Sequence, residues 1–590
     1  MAGRIRLVTA APPASRAYHA PAGRLTITVE RNTPDWLRGR RLPALILGLL
    51  ALALLLLLAL GPGKGVLFGT ARDEAGLSPS PPLSAASPLA AASPSPTSAA
   101  ASPLGRPTPA ASHSLEQPPP PPADDHDLAM VPVVGFWSAQ TDISLAELRR
   151  ALQGTSSSYR RVVLPEEDRQ ALAAALGVSL AAGVESGDPA AIRRAVRDGA
   201  LGLLRVSDLD PAVRALALDG RSLFGNERLR DVADWPLHVP TDAAAARTWE
   251  QSATWTLVAG GDIQLDRWMA YHVTSLGKGV DWPWDGGTVK ITGRVCCSDL
   301  GHRVPQWEPT GNEGAFRSLF NEADLAMANL EAAAVNDPSL HGLNERFRFS
   351  LSFSGDPRLL GGLSNAGFDF LSLANNHIHN AGPDGIRDTR RNLEDLDIGH
   401  AGAGRDLAQA TRPAVLQAGG QRVSILPCTS VGRIARADRA GAAPCSGARL
   451  PRQITLAAEE SDVVILFPHW GREYRATPTQ GQRALARQWV AAGADLILGA
   501  HAHWAGAMEE IGDSLVFYSM GNLAFDQPWS EPTMQGVVLE LTFHASDLLQ
   551  VRLHPTLIVD DVQPNLLEHS GGGNRVINRI RDASEGLLPY

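Results

Sequence analysis

Asp495-Leu-Ile-Leu-Gly-Ala-His-Ala-His503 sets a short aliphatic run directly before two histidines one residue apart. The run Leu496–Leu498 reads as a buried strand, and an i, i+2 histidine pair in extended or turn geometry can reach two adjacent ions. Working outward, the same arrangement recurs four times upstream. His469-Trp-Gly follows the run beginning at Asp462, Asn375-Asn-His377 follows Phe370–Leu373, Asn329-Leu-Glu331 ends Leu325–Ala328, and Gly261-Asp262 follows Trp255–Ala259. A parallel α/β sheet opens its ligand crevice at the carboxyl ends of its strands, so stretches placed alike predict one shared site. Singly, each has a bland reading: a helix cap for Asp262, a solvated carboxylate for Glu331, a turn for Asn376 and His377, a structural histidine for His469. Jointly they read as a dinuclear metal site. Such a site needs one carboxylate bridging both ions, and Glu331 is the acid positioned to bridge.

The alternation of strands with helical stretches such as Pro357–Ala366, Asp384–Leu396 and Thr479–Ala492 argues a layered α/β domain over 250–560. Gln535–Phe543 and Leu549–Ile558 alternate like antiparallel strands closing a sheet. The tail 561–590 gives no clear reading. Residues 128–248 also have globular character, with a strand at Val131–Phe136, helices at Leu145–Gln153, Glu166–Leu176 and Ala190–Asp198, and a strand-like Val213–Leu218.

The N-terminal quarter is different. Residues 1–41 hold eight arginines against Glu30 and Asp35. Leu42–Gly63 is uncharged and almost all Leu and Ala, about 33 Å long at about 1.5 Å per helical residue, enough to span a bilayer core. It is too long and too far in for a cleaved signal peptide and has no polar face for a core helix. The basic side predicts a cytoplasmic N-terminus and everything after Lys64 outside the cell membrane. Residues 64–127 are rich in Pro, Ser and Ala and read as a disordered linker. At 590 residues the chain needs several such regions, and a net charge of −9 gives no general signal for nucleic acid. An external location would allow a Cys428–Cys445 disulfide; reduced, half-buried thiols are the alternative. No paired Cys-x-x-Cys spacing points to thiolate-bound zinc.

The ordered set Gly-Asp, Asn-Leu-Glu, Ala-Asn-Asn-His, His-Trp-Gly-Arg-Glu-Tyr, Gly-Ala-His-Ala-His and Tyr-Ser-Met-Gly-Asn resembles the bacterial capsule-synthesis CapA proteins over about 254–527. The group includes the membrane-anchored subunit of poly-γ-glutamate synthesis systems and is a branch of the calcineurin-like metallophosphoesterases. The resemblance implies a four-layer α/β/β/α sandwich and two divalent ions, whether Mn, Fe, Zn or Mg. One ion would be held by Asp262, Glu331 and His503, the other by Glu331, Asn376, His469 and His501. His377 would be the catalytic residue facing the leaving oxygen, and Asn522 would line the site. Arg472 could grip a carboxylate or phosphate of an anionic polymer or phosphoester, with a surface ion pair as its alternative. Membrane polymer synthase subunits are the expected partners, and a non-catalytic scaffold on the same fold is the alternative function.

Three positions depart from the pattern. Gln264 stands where metallophosphoesterases commonly carry the histidine of Asp-x-His. Glu331 replaces a bridging aspartate, and Asn380 stands where the capsule branch often has Asp. The expectation is a first ion bound weakly. The insertion carrying Trp282, Trp284 and Trp307 offers either a substrate platform or buried packing. The segments Gly199–Gly220 and Trp235–Pro240 resemble part of a periplasmic-binding-protein-like domain of the phosphate- or molybdate-receptor type. That resemblance implies either a small-anion receptor or a degenerate docking module.

Overall fold

The computed structural model describes residues 127–240, 249–297, 301–341 and 351–590. The expected basic tail, the span at 42–63 and the linker up to residue 126 lie outside them. Among the described residues no helix is long and apolar enough to cross a membrane.

A small lobe comes first. Its strands are β1 (Asp127–Gly135), β2 (Val162–Pro165), β3 (Glu185–Gly187), β4 (Leu201–Arg205), β5 (Val213–Ala215) and β6 (His238–Pro240), in the order β3-β2-β4-β1-β5 with β6 also on β1. Helices α1 (Leu145–Leu152), α2 (Arg169–Leu176) and α3 (Pro189–Arg197) cover it. The first and third begin at Ser144 and Asp188, whose side chains accept the N–H groups of Glu147 and Ala191. Each helix turns Leu, Ile or Val inward, and Leu148, Leu172, Ile192 and Val196 pack on the buried strands.

Beyond the lobe, two sheets share one core. The larger contains β7 (Thr254–Ile263), β8 (Thr288–Val295), β9 (Val304–Gly311), β10 (Leu325–Leu330), β11 (Phe370–Ser372) and β12 (Gly399–Ala401). The second is built from β13 (Ala414–Ala418), β14 (Gln421–Thr429), β15 (Val463–His469), β16 (Leu496–Leu498), β17 (Met508–Ile511) and β18 (Ser514–Phe517), in the order β13-β14-β15-β16-β18-β17. The chain then returns to the large sheet with β19 (Asn522–Ala524), β20 (Gln535–His544), β21 (Asp547–Val559) and β22 (Gln563–Leu567). Its order is β9-β8-β22-β21-β20-β7-β10-β11-β12, with β19 also on β7.

Strand alternation explains the layering. Trp255, Leu257 and Ala259 of β7 meet Val463, Ile465 and Phe467 of β15 in the core between the sheets. Val258 of β7 faces the other way, onto helices α4 (Ala315–Asn321), α5 (Leu360–Asn365) and α6 (Gly382–Glu394). Val464 and Leu466 of β15 likewise face α7 (Arg449–Glu460) and α8 (Gln480–Val490). The chain is therefore a mixed α/β protein with helices outside both sheets. Residues from Gln563 onward, unreadable in isolation, form β22 and helix α9 (Asn574–Ala583), whose Val576, Ile577 and Ile580 enter the inter-sheet core. Trp284 is buried with Phe316 and Phe320, so packing holds that part of the insertion, while Trp307 is exposed on β9.

Strands β7, β10, β11 and β12 run parallel, as do β14, β15, β16 and β18. The carboxyl ends of each set thus lie along one edge of its sheet. Cys428 and Cys445 are joined in a disulfide, the first of the two alternatives.

Candidate metal centre

Strand β7 delivers Asp262 at its last turn of pleat, fully buried. The preceding Gly261 is required there by packing: a Cβ would sit 1.9 Å from the Gly521 carbonyl oxygen. That close approach lets β19 lie on β7, with Asn522 opposite Asp262 and the Asp262 N–H donating to Gly521 O at 3.0 Å. Glu331 follows β10 and stays on the ladder through its N–H to Ile263 O, 2.8 Å. After β11, the Asn375 side chain accepts the N–H groups of His377 and Ile378, folding the turn that presents Asn376 and His377. His469 is the last residue of β15. His501 and His503 follow β16 with φ of 89° and 56°, the left-handed region that costs a non-glycine residue about 1–3 kcal/mol and clusters at functional sites.

These side chains converge. Glu331, His469 and His501 form one buried group, and Asp262, Glu331 and His503 form another, each with ligand atoms within 4.8 Å of one another. Glu331 belongs to both. His469 Nε2 lies 2.7 Å from Asn376 Oδ1, 3.1 Å from His501 Nδ1 and 3.4 Å from Glu331 Oε1. His503 Nδ1 lies 3.3 Å from Asp262 Oδ2.

Glu331 is inaccessible to solvent, and neither of its carboxylate oxygens has a hydrogen-bond partner. A buried carboxylate without donors is expensive unless a cation meets it. Burial, then the Asp262 charge, pushes its pKa well above the usual carboxylate range. Burial also acts to raise Asp262, but the hydrogen bond from His503 and the His469 and His503 charges outweigh it and hold it low. Burial pushes His469 and His377 down to about 4. Burial and then the neighbouring histidines take His501 to about 2. Against its own burial, Glu331 and Asp262 raise His503 to about 9. Carboxylate oxygens, an amide oxygen and imidazoles are donors that suit a divalent cation, so the residues fit one.

Around this cluster lies a frame that the motifs alone did not identify. Asn329 Nδ2 donates to Asp262 Oδ1 at 2.8 Å and faces His469 Nδ1 at 3.3 Å. Asn375 Nδ2 donates to Asn329 Oδ1 and Leu330 O. The readable signal was an asparagine inside the apolar run Leu325-Ala-Met-Ala-Asn-Leu, since a buried amide must find partners. Phe353 stacks on His377 at 4.0 Å, and Arg267 lies over the Phe353 ring, 4.8 Å from its centre.

Asn522, Arg472, Gln264 and Asn380 lie outside the two ligand groups. Asn522, expected to line the site, is fully buried beside His503 and its amide is engaged throughout. Its Oδ1 meets His503 Nδ1 at 2.8 Å, while Nδ2 donates to Gln527 Oε1 and Thr533 O, so it orients the imidazole. Arg472 is exposed on the loop after His469, outside the buried cluster, and makes no ion pair among the described residues. Gln264 is buried and committed elsewhere: with its amide turned to satisfy both ends, it donates to Asp526 and accepts from Arg267. Those two form a buried ion pair of their own. Asn380, in place of an aspartate, accepts from the Phe353 N–H and lies 2.8 Å from His377 Nδ1.

Residues 256–527 match the family model described as bacterial capsule synthesis protein PGA_cap. The chain is 32% identical over 241 residues to the capsule biosynthesis protein CapA of Bacillus anthracis, covering 38% of this chain and 56% of that one. It is 34% identical over 172 residues to the PGA biosynthesis protein CapA of Bacillus subtilis (strain 168), covering 28% and 45%. A probable polyglutamine synthesis accessory protein of Mycobacterium tuberculosis is 26% identical over 299 residues, covering 46% and 74%. The chain thus spans about half the length of the two Bacillus relatives. A phosphatase structure from Mycoplasma pneumoniae overlaps 52% of this chain and 94% of its own at 10% identity and a TM-score of 0.30, which leaves the reading of the site to its own geometry. In its motifs and its Bacillus relatives, the region 256–527 is similar to the bacterial capsule-synthesis CapA proteins.

Proposed function

We propose that this domain is a metal-dependent, phosphoesterase-like hydrolase of capsule or poly-γ-glutamate assembly, built on a four-layer metallophosphoesterase sandwich. Asp262, Glu331 and His503 would hold one divalent ion and Glu331, Asn376, His469 and His501 a second. The observation that carries this reading is Glu331, shared between two ligand groups with both oxygens unpartnered. Two ions held there would polarise a phosphoryl group and lower the pKa of an attacking water.

The chain's own residues complete the chemistry. His377 has Nδ1 fixed beside Asn380 and Nε2 3.7 Å from Glu331 Oε1, so Nε2 is the atom turned toward the centre. With Nδ1 donating to Asn380 Oδ1 the neutral imidazole leaves Nε2 unprotonated, so it would accept a proton from the attacking water and pass it to the leaving oxygen. Asn522 and Asn329 keep His503 and His469 aimed. Exposed Arg472 is available to grip an anionic polymer or phosphoester. The names of the Bacillus relatives support a place in capsule or PGA biosynthesis, where membrane synthase subunits would be the partners. The run at 42–63 would anchor the chain with its later domains outside the cell; protection of those domains from protease on intact cells would refute that topology.

The test is elemental analysis and turnover of a chromogenic phosphodiester with Mn²⁺, comparing the parent with His501→Ala/His503→Ala. Loss of both metal and turnover is expected, and unchanged metal content would refute the site. A second reading, an accessory scaffold without turnover, is favoured by Gln264, whose amide is committed to Arg267 and Asp526 and supplies no imidazole. Bound metal with no turnover would select it.

A further inference from the structure

A pocket of about 190 Å³ lies between the lobe and the large sheet, sharing no residue with the metal cluster. Its walls include Ser138 and Thr141 from the segment after β1, Arg214 of β5, Arg552 and His554 of β21, and His569 beyond β22. Val213 and Ala215 point into the lobe core, so alternation turns Arg214 the other way. There the Ala215 N–H donates to Gln550 Oε1 of β21, fixing the two elements against each other.

The half-buried side chain of Arg214 makes no hydrogen bond or ion pair among the described residues, and its Nε is shut off from solvent without a partner. The second guanidinium, Arg552, donates to Ser222 and stands 3.8 Å from Glu540. Glu540 cannot serve Arg214 as well, because His554 holds it at 2.8 Å and the Asn226 N–H at 2.7 Å. Burial first, then the charge of Arg552, lowers Arg214 to about 10, and no carboxylate acts on it. His569 is lowered by burial and by Arg214, which places it in the same field.

We propose that this pocket binds a small oxyanion of the phosphate class, with Arg214 and Arg552 as its charge partners. A half-buried guanidinium facing a pocket without a counter-charge attracts an anion, and the planar fork of arginine matches tetrahedral oxyanions. At ~30 Å³ per water the pocket has room for about six waters, which suits a four-oxygen anion. The proposal stands independently of hydrolysis at the metal centre.

The test is calorimetry of the full chain with inorganic phosphate in chelator, using the parent, His501→Ala/His503→Ala and Arg214→Gln. Saturable binding is expected in the first two and at least tenfold weaker binding in the third, with the phosphate-induced rise in Tm lost. Sulfate binding with the same dependence on Arg214 would support an oxyanion site. In phosphate-free buffer Arg214→Gln should melt no lower than the parent; a lower Tm would make Arg214 a structural residue and overturn the proposal. Absence of phosphate binding in the parent, binding indifferent to Arg214→Gln, binding abolished by the histidine variant, or preference for acetate would each overturn it too.

Discussion

Glu331 illustrates what a single residue can carry. Its chemistry was readable as an acid after a strand, but its isolation from every donor depends on β10 being buried on both faces. Glu331→Gln is expected to lower bound metal at least tenfold while leaving the metal-free protein within about 1–2 kcal/mol of the parent, because no hydrogen bond to the carboxylate is lost. Denaturant melts in chelator beside elemental analysis measure both. Asn522 makes the complementary case: Asn522→Ala is expected to weaken metal binding about 10–100-fold by releasing His503, without touching a ligand. An unchanged affinity would return Asn522 to a packing role.

At the scale of elements, the pairing of β7 and β19 rests on Gly261. Gly261→Ala would drive a methyl into the Gly521 carbonyl, at 1.9 Å, and is expected to cost about 3 kcal/mol or more and to displace Asp262. Gly361, inside α5 with nothing within 4 Å of its hypothetical Cβ, is the control: Gly361→Ala should be neutral or stabilise by up to about 1 kcal/mol. The Cys428–Cys445 link belongs to the same scale. It closes a separation of 17 residues, and Gly432 within that loop packs against Asn376. Reduction or Cys428→Ser/Cys445→Ser is expected to cost about 3 kcal/mol and weaken metal binding through Asn376, as read by melts and metal content.

For the molecule as a whole, Glu540 ties the lobe to the large sheet through Asn226, with His554 and Arg552 beside it. Burial acts to raise its pKa, but the His554 hydrogen bond and the Arg552 charge outweigh that and hold it at about 2. A carboxylate depressed in the folded state stabilises above its ordinary pKa of about 4.5 and loses that contribution as pH falls toward about 2. Stability is therefore expected to fall between pH 4.5 and 2 by an amount on the order of 3 kcal/mol, and Glu540→Gln should flatten that slope in denaturant melts.

The chain by itself determined the strand rhythm, the helices with strong periodicity, and which strand ends carry ligand-type residues, because alternation and composition are local properties. Trp255–Ala259, Val463–Phe467 and Leu496–Leu498 were legible because a buried strand has to be apolar along its length. Only the tertiary structure decided that Asn522 serves His503, that Gln264 belongs to Arg267 and Asp526, and that the tail beyond Gln563 completes the inter-sheet core. Those outcomes depend on contacts between residues far apart in the chain. A glutamine or asparagine looks the same in sequence whether its amide faces a cation, an ion pair or another side chain; what it does is settled by which strands fold beside it.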